Sequence, residues 1–348
     1  MTVITSLFHF FLILLLLPLG DVAAQTPQNP ETQSKVEPPK IVQAQSLLSA
    51  GKIDEALALL TAIPKSIGNE LQLNYLLGLA YYQKGEHPRA IEHLSLAVKQ
   101  AQEGSPQYRQ AVQFLGMSYY LSGKTTEAIP YLAQVKNWAP DNVEMAYVLG
   151  VSYIKTQNPD GAREAFARMF NVPPDSAQAY LMNAQMMVRQ QVEALAEKEL
   201  RKALELDPKL PQANFLLGEL LIYRAEIDQG IERLKKEIAL NPAFAMPYYM
   251  LGEAYTRQQK WDEAIQPLQK SIWLNPFFSG PFIVLGKVYL KKGELHNAEN
   301  VLRRALRMDP NNFSGHHLLA QVLQQMNRPE EAKKEFELAD RLRNEPNR

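Results

Sequence analysis

The chain has 348 residues, 46% hydrophobic and 21% charged, with 17 Gly and 23 Pro, which is the composition of a folded protein and neither collagenous nor disordered. Thirty-seven Lys and Arg balance 37 Asp and Glu, so no net basic field gathers phosphate, which argues against nucleic acid as a partner. With no cysteine, disulfides, thiolate zinc, iron–sulfur clusters, catalytic thiols and lipid-modified cysteines are excluded.

The first predicted element is an address. Leu7 to Leu17 form an apolar run, followed by Pro18, Gly20 and the small stretch Val22-Ala23-Ala24. This pattern predicts a secretory signal over 1–24, cleaved after Ala24, and a periplasmic or secreted protein. No Lys or Arg precedes Leu7, so an uncleaved N-terminal anchor, and with it a membrane tether, is the alternative. The run is about half the ~20 apolar residues of a spanning helix and Asp21 closes it. Residues 25–40, QTPQNPETQSKVEPPK, are proline-rich and almost without apolar side chains, and are expected to be a disordered tether overlapping the start of the next element.

From there one unit recurs. A small residue stands at Ala44, Gly78, Gly116, Gly150, Ala184, Gly218, Gly252, Gly286 and Ala320, at spacings of 34 residues except one of 38. Three residues later come Leu47, Tyr81, Tyr119, Tyr153, Met187, Leu221, Tyr255, Tyr289 and Leu323; twelve later, Ala or Gly; sixteen later, Leu or Phe. Small and large apolar residues three or four apart share one helix face, so each unit is expected to hold two short amphipathic helices. Pro140, Pro174, Pro208, Pro242, Pro276 and Pro310, twenty-four after the small residue, are expected to end the second helix. Neither helix can bury its face alone, so the units must stack.

The period and the pattern L-G-x2-Y, A-x3-F, P resemble the tetratricopeptide repeat, as in Leu77-Gly78 with Tyr81, Leu251-Gly252 with Tyr255 and Leu285-Gly286 with Tyr289. The resemblance implies an all-α fold, an α-solenoid wound as a right-handed superhelix of about nine helix-turn-helix repeats over 37–346. The repeats run 37–70, 71–108, 109–142, 143–176, 177–210, 211–244, 245–278, 279–312 and 313–346. The array leaves little of this chain for a separate catalytic domain, so any activity is expected from the repeats, and no enzyme is expected.

Four irregularities carry expectations of their own. The four extra residues between Gly78 and Gly116 fall near Lys99 to Pro106 and are expected to lengthen the second helix of that unit by about one turn. In the fifth unit Asn183 occupies a leucine slot beside Met182, Met186 and Met187. A buried polar group there needs a partner or costs ~1–3 kcal/mol, and it is read either as a satisfied structural side chain or as a groove-reading one. Pro130 and Pro267 lie past the first turn of second helices and are expected to bend them. Pro88, Pro159 and Pro329 stand where a first turn tolerates proline.

The chemical motifs are weak. Gly123-Lys124-Thr125 lacks the upstream glycine of a phosphate loop, Ser118 standing in its place, so no nucleotide is expected. The histidines form no i, i+4 pair, and neither a nucleophile elbow nor a dinucleotide fingerprint occurs, so no catalytic residue, metal or cofactor is predicted. Acidic residues such as Glu330, Glu331 and Glu335 alternate with Lys333 and Lys334, as on a solvated helix face.

In the family resembled, first helices line a concave groove that holds an extended or helical segment of another protein. Followed through this chain, its slots give Tyr75, Tyr82, Tyr120, Tyr147, Lys155, Arg189, Phe215, Tyr223, Tyr249, Arg257 and Lys291, an aromatic lining with a basic stripe relieved by Glu219 and Glu253. Such a surface suits a peptide with apolar anchors and some acidic residues. The plainer reading of tyrosine at helical spacing is interhelix packing. The function expected is a non-enzymatic protein-interaction scaffold of the cell envelope. The alternative is an export or envelope accessory protein that grips polysaccharide or cell-wall fragments. The last helix, with Ala332, Phe336 and Ala339 on one face, reads as a polar cap of a monomer.

Overall fold

The periodic apolar faces form helices throughout the computed structural model, which describes residues 39–64 and 70–344. The expected signal and most of the expected tether fall outside them. First helices of the nine repeats are α1 (Pro39–Ser49), α3 (Glu70–Gln83), α5 (Pro106–Leu121), α7 (Val143–Lys155), α9 (Ala177–Arg189), α11 (Ala213–Tyr223), α13 (Ala245–Arg257), α15 (Ser279–Lys291) and α17 (Phe313–Gln325). Second helices are α2 (Ile53–Thr61), α4 (His87–Gln100), α6 (Thr125–Val135), α8 (Pro159–Met169), α10 (Glu193–Leu206), α12 (Ile227–Leu240), α14 (Trp261–Leu274), α16 (Leu295–Met308) and α18 (Pro329–Asn344). Among the described residues there is no strand, and the architecture is an all-α solenoid of stacked hairpins.

The helices divide into two compact units, one ending at Thr156 and one starting at Gln157. In the first, α1 packs on α2, α3 on α4 and α5 on α6, and first helices also touch one another, α1 with α3 and α3 with α5. In the second the hairpins from α9·α10 to α17·α18 repeat the arrangement, with α11, α13, α15 and α17 in contact in sequence.

Close approach is what the small slot provides. A Cβ added to Gly252 would lie 2.4 Å from Cγ of Leu268, and one on Gly78 or Gly286 would lie 2.5 Å from Cγ of Leu94 or Leu302. Each of these leucines, sixteen residues on, is fully buried against the opposing backbone.

The turn within each hairpin has one conformation. Seven residues after every small slot the backbone is left-handed, at Gly51, Gly85, Gly123, Gln157, Gln191, Ala225, Gln259, Gly293 and Asn327, with φ between 56° and 79°. In eight turns the next N–H donates to a carbonyl five residues back, as from Lys260 to Tyr255 at 2.9 Å and Glu226 to Leu221 at 2.9 Å. This is the Schellman closure, and glycine is its ordinary residue; five of the nine positions hold Gln, Ala or Asn instead.

Two expectations need correction. The four extra residues do not lengthen α4, which ends at Gln100, as far from its small slot as α10, α12, α14 and α16 end from theirs. They go into the linker and the start of α5, where Pro106 takes the first turn and the Ser105 side chain accepts from the Tyr108 N–H. A first turn admits proline and a serine cap, whereas the far end of α4 is already closed at Ala101. Second, α10, α12, α14 and α16 stop two residues before their prolines, but α6 and α8 stop at Val135 and Met169, well ahead of Pro140 and Pro174. In α8 the terminator is Asn171, left-handed at φ 52°, beside the Val172 N–H to Ala167 bond. Pro130 and Pro267 lie inside α6 and α14, each of which runs on as one helix past its proline. Pro88, Pro159 and Pro329 occupy first turns as expected.

Candidate protein-interaction surface

In the first unit the slot residues form two small groups. Tyr75 is buried in the core of α1 to α5, where burial pushes its phenol up to about 12. Tyr82 stands at the end of α3 and packs on Phe114 of α5, ring centres 5.1 Å apart. Burial raises its phenol and the Glu144 carboxylate adds to the shift. Tyr120 of α5 and Tyr147 of α7 are neighbours, the Tyr120 phenol being raised first by burial and then by Tyr147. The Lys155 ammonium, at the exposed end of α7, lies 5.4 Å from the centre of the Tyr120 ring, a cation–π contact. Tyr120, Tyr147 and Lys155 thus converge from two successive first helices.

In the second unit the rings are used as seams. Phe215 of α11 is buried edge-on against Phe244, the residue before α13, at 5.2 Å; Tyr249 of α13 meets Phe278, the residue before α15, in the same way at 5.1 Å. Tyr223 remains 55% exposed at the end of α11. The Arg257 guanidinium lies 5.7 Å over the Tyr223 ring and binds the Glu253 carboxylate at 2.7 Å. Burial carries the Tyr249 phenol well above its usual range, and Glu253, which takes its hydrogen bond, adds to this. Burial likewise raises the Glu219 carboxyl, with Glu253 contributing. Arg257 is therefore neutralised locally, and this part of the surface is aromatic and mixed in charge. Arg189 and Lys291 are exposed at the ends of α9 and α15.

The Asn183 amide N–H groups are taken up by its own hairpin and by α8 before it, while its buried Oδ1 has no partner among the described residues. Fully buried, its amide donates to the Glu199 carboxylate at 2.6 Å and to the Pro159 carbonyl at 3.0 Å. Arg163 completes the group, with Nη1 3.7 Å from Glu199 and 2.8 Å from Asp160, and its guanidinium 4.2 Å over Tyr180. One buried carboxylate escaped the sequence reading: Glu237 of α12, fully buried, accepts from the N–H groups of Gln212 and Phe215 at 2.9 and 3.3 Å. It caps α11 across the hairpin, where Gln212 is itself left-handed. Gly123 and Lys124 lie in the turn between α5 and α6, and Thr125 opens α6. Among the described residues no three His, Asp or Glu are grouped to hold a metal ion, and no helix is long and apolar enough to cross a membrane.

Two family models, both described as tetratricopeptide repeat, match the chain in several places: one over 119–185 and 289–347, the other over 41–106, 75–142 and 215–276. The chain belongs to the tetratricopeptide-repeat family. Proteins of this family serve broadly as interaction scaffolds, which is the coarse function of this chain. Solved structures of other repeat proteins are similar to it. YrrB, described as a tetratricopeptide-repeat protein with an unusual peptide-binding site, is 19% identical over 52% of this chain and 93% of its own, with a TM-score of 0.45. PilF of Pseudomonas aeruginosa is 20% identical over 57% of this chain and 91% of its own, TM-score 0.48. MamA of Desulfovibrio magneticus RS-1 is 18% identical over 49% and 96%, TM-score 0.46. No curated protein sequence matches the chain.

Proposed function

We propose that this tetratricopeptide-repeat protein is an exported, non-enzymatic scaffold of the cell envelope that holds a segment of another protein against its first helices. The observation that carries the reading is the convergence of Tyr120, Tyr147 and Lys155 from α5 and α7. Rings with one face backed by packing and a cation at the rim suit an aromatic or aliphatic anchor followed by an acidic side chain. In the second unit Tyr223 and Arg257 offer a second hold, where Glu253 already satisfies the guanidinium and a partner gains chiefly ring contact. Export rests on the pattern of residues 1–24, and a monomer is favoured by the charged outer face of α18.

The test is site-specific photocrosslinking in cells, with a benzophenone side chain at position 120 or 223 and, as comparison, at Leu206 on a second helix. A single protein partner crosslinked from 120 and 223 but not from 206, and lost in Lys155→Glu, is the expected result. Crosslinks independent of position, or none from 120 and 223, would overturn the reading. A mature mass beginning at Gln25 would establish cleavage, and an intact N-terminus would establish an anchor.

A further inference from the structure

A second surface is built chiefly from second helices. First helices of successive repeats touch, but α12 and α14 each pack on α13 and leave a cleft between them. Its volume is about 630 Å³, well within the range that holds a small ligand. Ile238 and Leu251 form an apolar floor, and the walls carry Lys235, Lys270, Gln266, Gln269, Tyr248 and Trp273. Among the described residues Asp and Glu are absent from the lining. Trp273 is 71% exposed, with the Lys270 ammonium 4.0 Å from the centre of one ring. One repeat earlier, between α10 and α12, a cleft of about 310 Å³ is built the same way, with Leu204 below and Arg233, Lys236 and Asn214 at the side. It too has no carboxylate in its lining among the described residues.

The recurrence has a sequence cause. Eighteen residues after the small slot the fourth to eighth repeats carry Arg168, Lys202, Lys236, Lys270 and Arg304, so every second helix of that stretch turns a cation to the same register. Burial of an indole is the ordinary outcome for so large an apolar group. Here the indole stands open beside two cations and two carboxamides, and Phe277, 86% exposed, follows it.

We propose that the α12–α14 cleft binds an acidic saccharide, a uronic-acid unit of a linear polyanionic glycan, with the neighbouring cleft taking a further unit. The ring face of a sugar is apolar and packs flat on the indole of Trp273. Its hydroxyls match the Gln266 carboxamide and donate to the side-chain carbonyl of Gln269 and to Tyr248 Oη, two side chains that already give hydrogen bonds to Tyr289 and Pro242, and its carboxylate meets Lys235 and Lys270. Cations without competing acids give the charge complementarity, and carboxamides with an open aromatic face favour a sugar over an acidic peptide. The cleft shares α13 with the proposed protein-binding surface through Tyr248 and Leu251, but Tyr120, Tyr147, Lys155, Tyr223 and Arg257 are not among its lining residues, and the two proposals stand or fall separately.

Titration calorimetry and tryptophan emission on the full chain test the assignment, using a galacturonic acid trimer as the probe, a neutral glucose trimer and hexaglutamate. The expected result is saturable binding of the uronide alone, with an emission change that vanishes in Trp273→Phe. Lys235→Glu/Lys270→Glu weakens binding at least about tenfold, and Lys334→Glu, at an exposed cation of α18, leaves it unchanged. Trp273→Ala, which removes an exposed side chain, supplies a second variant that must also bind at least about tenfold more weakly if the double variant misfolds. Absence of saturation, equal binding of hexaglutamate or the neutral trimer, or unchanged affinity in the folded variants would overturn it.

Discussion

The carboxylate of Glu237 holds the backbone N–H of Gln212 at 2.9 Å, reaching from the second helix of the sixth repeat to the entry of its first. Other repeats place Ile, Ala, Val, Met or Ser at the equivalent slot, so among the described residues this hairpin alone uses a buried charge to cap its partner. Glu237→Ala removes the acceptor for two amides at once and is expected to cost about 2 kcal/mol. Urea denaturation of the two proteins checks it, and an unchanged midpoint would mean that water replaces the cap.

Ala225 occupies a left-handed turn at φ 65° with no glycine to relax it. Ala225→Gly is expected to stabilise the protein by about 1 kcal/mol, since a Cβ in that region costs roughly this much and the position is exposed. The measurement is the shift in denaturation midpoint, with Gly293→Ala, at φ 76°, expected to move in the opposite direction.

Asn183 and Glu199 depend on each other. Asn183→Leu, which restores the residue type of the neighbouring repeats, strands the Glu199 carboxylate without its 2.6 Å donor and is expected to destabilise by about 1–3 kcal/mol. Adding Glu199→Leu recovers most of the loss, and a double-mutant cycle reads the coupling. The same carboxyl sets a pH dependence. Burial raises it above its ordinary 4.5 despite Asn183 and Arg163, so the folded state holds that proton longer than the unfolded one. Its contribution to stability is greatest below the unfolded value and declines as pH rises through the folded one. Glu199→Gln should flatten that slope.

Glu299 behaves in the opposite sense. Burial raises its carboxyl, but the bonds from Arg303 at 2.8 Å and from both Arg328 contacts at 2.9 Å outweigh this and hold it below 4.5. Because Arg328 precedes α18, the last hairpin is fastened to the one before it above the ordinary carboxylate range and released as pH falls through the depressed value. Protection factors of the α18 amides, which remove the intrinsic pH dependence of exchange, should therefore fall in acid, and Glu299→Gln should show the lower protection already at neutral pH.

The nine hairpins were legible because slots of fixed size recur at a period only stacked helices explain. What was not legible concerns the other partner of each contact. Tyr75 and Tyr147 hold the same slot, yet only Tyr75 is fully packed away. Phe215 is buried because Phe244, at the far end of its own repeat, closes over it. Gln and Ala in left-handed turns carry no glycine signal, and Glu237 sits in a run of charges that reads as solvated surface. Arg257 was read from its own slot as part of a basic stripe, but its charge is answered by Glu253 one turn earlier on the same face. The outer cleft escaped notice because it exists only where two second helices stand apart.

The four additional residues at the α4–α5 junction were absorbed without disturbing either hairpin, while every turn inside a hairpin keeps one length and one backbone shape. The molecule thus has seams that stretch and corners that do not. Reporter groups or whole inserted modules belong at the 101–105 connection, where Gly104 is exposed and left-handed, and would ruin the register if spliced beside Ala225 or Gln259.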